Sequence, residues 1–479
     1  MTKIVQPAQT VNPWAATALL LMGNFMNLVD VSIVNVGLPS IQEGLGASDT
    51  QLEWVSAAYV MAFATGLLPC GRFGDKLGRK RLFLLGVSLF TIASVLCGLA
   101  PSVNVLIGSR ALQGVGGAMM VPQVMAIMHV IFPPEQKAKA FALAGVVVSL
   151  GAVTGPLLGG FLITANIHDL GWRPIFLVNL PVGIIVVLAG LKLIPKLAST
   201  RDLAIDWMGV ALFALTITFI ILPVVEGPLL GWPLWCLGLL VMAIPTAALF
   251  VRRQISLERA DREQLLPVQL LRDGGYVSGI TIVLLHFSAI PGMFLILAIY
   301  FQTGFGFTPL ESGLATAPFP LGVMAGSFIT GRFGTRGLTL RIAFGASVLL
   351  MGMTWLRYLT GNPPADMNAM TLALPLVING FGMGMAISPL FQTVLKTVPG
   401  KMAGAATGGM QAFQQVGVAV GIAIASSLFF VHLRGVGQGD HSGAMHFALT
   451  YQMMVFSTIL MILAIRTLWL RRQSPALAT

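Results

Sequence analysis

The side chains with the most chemistry in this chain are few, and they stand in apolar surroundings. In MGNFMNLVDVSIVNVGLPSIQ (22–42), Asp30 is the only carboxylate. A charge deep in a membrane helix costs about 2.5–3.5 kcal/mol on insertion scales, so it needs a function or a partner. Burial favours the neutral form of a carboxyl. Such a group can take a proton from the acidic side and release it on the other. Asn27 lies one helical turn before Asp30, on the same face, and is expected to contact the same water or substrate. The base read as buried is Arg110, in RALQGVGGAMM (110–120), with Gln113 three residues on. A cation near Asp30 would favour its ionised form and proton release.

Charge also gathers between the apolar runs. GRFGDKLGRKR (71–81) holds Arg72, Asp75, Lys76, Arg79, Lys80 and Arg81, against 9% charged residues overall. Gly71 and Gly78 bracket the acid, which suits a tight turn between two close helices. An acid there can face a helix N-terminus, for about 0.3–1 kcal/mol, or pair with a base across the turn. Such a contact exists only while its neighbour is in place, so it can favour one conformation. In GVVVSLGAVTGPLLGG (145–160), Gly151, Gly155 and Gly159 recur every four residues and share a face that admits another helix closely. Pro156 favours a kink.

The elements that carry these residues follow from hydropathy. The 479 residues are 56% hydrophobic with mean hydropathy +0.86. A soluble protein carries about 25% charged residues. Fourteen apolar runs are long enough to span a bilayer: about 15–38, 52–71, 82–100, 105–127, 140–163, 174–192, 207–225, 233–251, 276–301, 311–331, 342–358, 370–391, 403–431 and 447–470. With a cytoplasmic N-terminus, 24 of the 28 Lys and Arg fall on the cytoplasmic side and 3 outside, leaving Arg110 in its span. That asymmetry puts both termini in the cytoplasm. At about 1.5 Å per residue, Asp30 and Arg110 lie roughly 12 and 8 Å below the outer surface, so a charge pair or water bridge is expected. The first run is too long for a signal peptide and reads as a retained helix.

GRFG recurs at 331–334, where Thr335 replaces Asp75. Two halves with a site between them is a transporter design. The expected domains are 1–195, a six-helix bundle; 196–253, two inserted helices; 254–275, a cytoplasmic linker; and 276–479, a second six-helix bundle. The fold class is an all-α polytopic membrane protein.

These strings carry a resemblance. Gly71 to Lys80 is similar to the cytoplasmic loop signature of the major facilitator superfamily. Residues 145–160 resemble the antiporter motif of its drug:H⁺ exchangers, and Leu28 to Pro39 the first-helix signature of its 14-helix branch, the EmrB/QacA-like multidrug exporters. RALQG resembles the superfamily's fourth-helix motif, and WRPIFLVNLPVG (172–183) resembles another string of that branch, with a structural role. The resemblance implies the major facilitator fold. It also implies a proton-coupled exporter of amphipathic, cationic drugs or biocides in the bacterial inner membrane. Asp30 and Arg110 would couple protons. Gly71, Asp75, Gly78, Arg79 and Lys80 would form the cytoplasmic gate. Gly151, Gly155, Pro156 and Gly159 would be the antiporter face, at a close interface between the halves. Export of an endogenous metabolite is the nearest alternative, and an importer a more distant one.

The expected partners are the bilayer, protons and small amphipathic substrates, with a periplasmic adaptor left open. Substrate contacts are expected from Asn27, Asp30, Gln113, Phe294, Tyr300 and Phe381, soft and aromatic groups suiting a promiscuous pocket. The bases sit in short loops as topology signals, which argues against nucleic acid. There is no G-x4-G-K-[ST] loop, so a proton gradient and not ATP is the expected energy source, and no cofactor, metal or enzymatic constellation is read. Cys70, Cys97 and Cys236 read as small buried hydrophobes. Glu226 and Glu311 read as interfacial acids, and His286 as a histidine able to titrate near neutrality.

Overall fold

The computed structural model describes residues 12–166, 169–197, 204–363, 368, 370–436 and 440–473. Among them thirteen helices are long and apolar enough to cross a membrane, and a shorter apolar stretch, Thr154–Ala165, lies in a further long helix. The count of fourteen spans and the cytoplasmic termini therefore stay expectations.

The helices start and stop where local chemistry directs. Helix α1 (Pro13–Leu45) opens with Asn12 accepting from the Trp14 N–H and with Pro13 in the first turn. It closes on Gly46 in the left-handed region. Helix α2 (Asp49–Leu77) opens with a capping box between Ser48 and Gln51. Gly78, at φ +95°, both ends α2 and begins α3 (Arg79–Gly98), so only glycine turns this corner without strain. Then come α4 (Val103–Ile131), α5 (Pro134–Ala165), α6 (Pro174–Leu177) and α7 (Asn179–Leu193). The inserted hairpin is α8 (Trp207–Leu230) and α9 (Leu234–Arg259). A short α10 (Val268–Arg272) precedes α11 (Gly274–Ile299). The tenth expected span is two helices, α12 (Pro309–Thr316) and α13 (Pro318–Gly331), because Pro318 and Pro320 cannot continue the backbone ladder. The chain ends with α14 (Leu338–Gly361), α15 (Ala373–Leu395), α16 (Ala403–Val436) and α17 (His441–Gln473).

The chain forms two compact units. The first comprises residues 1–133, 147–277 and 394–416, and the second 134–146, 278–393 and 417–479. Four helices, α5, α11, α15 and α16, thus contribute to both, which is a different partition from the expected domains in chain order. In the first unit α4 packs along α2 and α3, and the α8–α9 hairpin lies on α2. In the second, α14 packs along α17.

Glycines set these approaches. A Cβ on Gly86 would sit 2.8 Å from the Met120 nitrogen, and one on Gly114 would sit 2.5 Å from the Tyr59 carbonyl oxygen. Side chains there would force α3 and α2 away from α4. The three cysteines are buried and free, and among the described residues no three His, Cys, Asp or Glu gather to hold a metal.

Candidate functional site

Asp30 and Arg110 meet inside the first unit. Arg110 Nη1 donates to Asp30 Oδ2 at 2.5 Å. The carboxylate is 0% exposed and the arginine 2%. A buried ion pair gains little unless its remaining donors and acceptors are filled. Here Asp30 Oδ1 also accepts from Gln113 Nε2 at 2.7 Å and from Asn179 Nδ2 at 2.9 Å. Arg110 Nη1 reaches Gln113 Oε1 at 2.6 Å, and its Nε donates to the Val55 carbonyl at 3.1 Å. The guanidinium carbon lies 4.3 Å from the centre of the Tyr59 ring. Ser94 Oγ accepts from both amides, Gln113 at 2.8 Å and Asn179 at 3.2 Å. Six side chains from α1, α2, α3, α4 and α7 therefore form one polar island.

Sequence reasoning missed three of its members. Asn179 stands in the string given a structural role, and a lone amide amid FLVNLPVG was the available signal. Ser94 and Tyr59 carried none. Asn27 does not bond to Asp30 in this structure; its amide donates to the Tyr59 hydroxyl and joins the island at second remove. Gln113 is fully buried and bonded to Asp30.

The loop at 71–81 closes a second constellation in the same unit. Asp75 accepts from the backbone N–H groups of Gly404 and Ala405, both at 3.2 Å, in the first turn of α16. It thereby fills two donors that a helix start leaves open. Arg79 Nη2 donates to Asp75 Oδ1 at 2.9 Å and to the Gly400 carbonyl at 2.6 Å. The two options read from sequence, a helix N-terminus and a base across the turn, are thus both present. Arg72 pairs with Glu263, so the expected linker takes part in this corner. A Cβ on Gly71 would strike the Gly404 carbonyl, so α2 and α16 can meet only through glycine here. Lys80 donates to the Leu191 carbonyl at 2.8 Å.

At the second GRFG there is no acid at the Asp75 position. Arg341 instead donates to the carbonyls of Thr330 and Gly334, each at 2.7 Å.

The glycine face of α5 has a different neighbour from the one expected. Gly151, Gly155 and Gly159 lie against Leu28, Ser32 and Ile33 of α1, in their own unit, and Pro156 stands among them inside the helix. Ser32 Oγ donates to the Gly151 carbonyl at 3.2 Å. The stripe thus presses on the helix that carries Asp30.

The aromatic candidates lie in the second unit. Phe294 stands edge-on to Phe319 at 4.9 Å, and Phe381 is half-buried. Tyr300 is buried in a π turn after α11, its hydroxyl donating to the Thr360 carbonyl at 3.2 Å.

Glu226 departs from its reading as a solvated acid. Helix α8 runs on to Leu230, so Glu226 lies within it, 5% exposed, with Oε1 making no hydrogen bond. Glu311 is exposed and completes the capping box that starts α12. Burial lowers the pKa of Lys137, on the first turn of α5.

Residues 20–422 match the Major Facilitator Superfamily family model, and the chain belongs to that family. It is 35% identical to "Probable actinorhodin transporter" of Streptomyces coelicolor, over 87% of this chain and 72% of that protein. It is 33% identical to "Multidrug resistance protein Stp" of Mycobacterium tuberculosis, over 85% of this chain and 74% of that one. Among solved structures it superposes on the human organic anion transporter MFSD10 with a TM-score of 0.68 at 16% identity, covering 96% of this chain and all of that one. The protein is a multi-pass membrane transporter whose relatives include antibiotic and multidrug exporters.

Proposed function

We propose that this transporter is a proton-coupled antiporter that exports amphipathic, cationic drugs or biocides from the bacterial cytoplasm across the inner membrane. The observation that carries the reading is the buried Asp30–Arg110 pair with the hydrogen bonds of Gln113 and Asn179 to its carboxylate. Protonation of Asp30 would remove the charge that holds Arg110 and leave that guanidinium without a counter-ion. The island would then rearrange, and α1, pressed on the α5 glycines, would move with it. In this reading Asp30 alternates between a proton and the charged state that accompanies substrate. Arg110 sets how readily the proton leaves, while Gln113 and Asn179 keep the carboxylate oriented. Asp75 and Arg79 tie the end of α2 to the start of α16 and bias the cytoplasmic gate toward one state. No cofactor is required, the proton gradient supplying the energy.

The names of relatives favour a second reading. "Probable actinorhodin transporter" and "Tetracenomycin C resistance and export protein" describe proteins associated with a compound their names specify. Export of an endogenous metabolite by the same cycle follows if this chain resembles them in cargo. A deletion strain tested on a drug panel, with its culture medium profiled, separates the two. Drug sensitivity supports the first, and metabolite retention without drug sensitivity supports the second. Coupled exchange that persists undiminished in Asp30→Asn, measured in liposomes, removes the proposed mechanism from both.

A further inference from the structure

The sequence repeat visible as GRFG continues inside both units, where identity has faded. A Cβ on Gly345 of α14 would lie 3.0 Å from the Ala386 nitrogen of α15, just as one on Gly86 of α3 would lie 2.8 Å from the Met120 nitrogen of α4. Gly114 of α4 faces the backbone of Tyr59 and Phe63, and Gly380 of α15 faces that of Phe319 and Val323 in the same order. Gly151 and Gly155 of α5 press on Leu28 and Ser32 of α1, while Gly417 and Gly421 of α16 press on Leu284 and Ser288 of α11. These contacts fix the register. Leu28-Val29-Asp30-Val31-Ser32 aligns with Leu284-Leu285-His286-Phe287-Ser288, and Gln113-Gly114 aligns with Asn379-Gly380. The acid of the first unit has a histidine in its place in the second, and its amide partner has an amide in its place.

The second pair differs from the first in being unfilled by protein groups. His286 is 2% exposed and Asn379 0%. His286 Nε2 and both Asn379 amide atoms make no hydrogen bond with any described residue. A buried polar group without a partner costs about 1–3 kcal/mol, so three such atoms at the repeat-equivalent positions point to a role. The surroundings are aromatic and uncharged. Phe287 of α11 and Phe456 of α17 stand edge-on to the imidazole at 5.5 and 6.0 Å, and Phe391 of α15 stacks on Phe287 at 6.3 Å. Two residues on, Ser288 Oγ accepts from the Tyr451 hydroxyl of α17 at 3.0 Å. His286 enters no ion pair among the described residues.

We infer that His286 is a second proton-binding group, the second unit's counterpart of Asp30, with Asn379 as its partner. The inference rests on the proton-coupled reading above for its place in transport. An asparagine suits this task. Brought within reach of the imidazole, its Nδ2 would donate to the neutral ring nitrogen, and after rotation of the amide its Oδ1 would accept from the protonated one. The pair can follow a proton on and off without recruiting a charged residue.

The test labels the six histidines of the full chain with 15N. The protein is titrated in lipid nanodiscs, and His286→Gln identifies the signals of His286. They should move between about pH 5 and 8, where imidazoles charge, with a midpoint displaced in Asn379→Leu. Signals fixed across that range, or a midpoint indifferent to Asn379→Leu, overturn the inference. A second measurement counts protons exchanged per ethidium, an amphipathic cationic probe, in liposomes. His286→Gln should exchange one proton fewer than wild type, and an unchanged count contradicts the inference. If wild type exchanges none while His286 titrates, the antiport reading fails and the proton site stands.

Discussion

Removing the charge of Arg110 alone should harm this protein far more than removing both charges of the island. In Arg110→Met, Asp30 keeps two amide donors, Gln113 at 2.7 Å and Asn179 at 2.9 Å, but loses its counter-ion at 0% exposure. Breaking a buried pair from one side costs about 3–5 kcal/mol. Asp30→Asn leaves Arg110 with Gln113 Oε1, the Val55 carbonyl and the Tyr59 ring, so its cost should fall at the lower end of that range. The double variant buries no unpaired charge. Replacing a buried pair by uncharged groups of similar size is often neutral. A double-mutant cycle, read by unfolding in detergent with increasing SDS, should therefore show a coupling energy of at least about 2 kcal/mol. Single costs that add to within about 0.5 kcal/mol, the scatter of independent sites, would refute the claim that these two charges hold each other.

The other predictions follow from single contacts. Asp75→Asn should bind ethidium normally but transport it several-fold more slowly, because the α16 N–H groups and Arg79 lose their carboxylate; normal turnover in a flux assay counts against the gate. Gly155→Val should abolish transport while leaving some folded protein on size-exclusion chromatography, since its side chain would collide with Ser32 of α1. Asn179→Leu should slow exchange at least tenfold and shift its pH profile, whereas a purely structural asparagine would lower expression and leave the profile in place. At the start of α17, the His432 hydrogen bond and then the Gly443 N–H hold the Asp440 carboxyl below its usual range. That stabilisation is present above the ordinary carboxylate pKa and is lost as pH falls through the lowered value. The protection of the Gly443 amide, its exchange rate relative to the intrinsic rate at each pH, should fall only on such acidification.

The sequence made the isolated charges legible, because a lone acid or base in an apolar run is a visible anomaly. Asp30, Arg110 and Asp75 all belong to that class, and their depths and turn position announced their partners' chemistry. What stayed hidden were groups whose importance arises from packing. Asn179 lies 149 residues from Asp30, and Gly404 lies 329 from Asp75, so no local pattern joins them. The α5 glycines announced a close neighbour but not its identity, which only helix packing decides. Glu226 was misread because hydropathy ended its span before the helix does. The repeat showed itself where loop glycines are shared and was silent at Asp30 and His286, where the side chains differ and only the glycine contacts preserve the register.

The central claim is that Asp30 carries the exchanged proton. Ethidium added to purified wild-type protein in weakly buffered detergent should release protons, detected by a pH dye, and Asp30→Asn should lose the release that depends on this residue while still binding the probe. Release from Asp30→Asn equal to that of wild type would contradict the account.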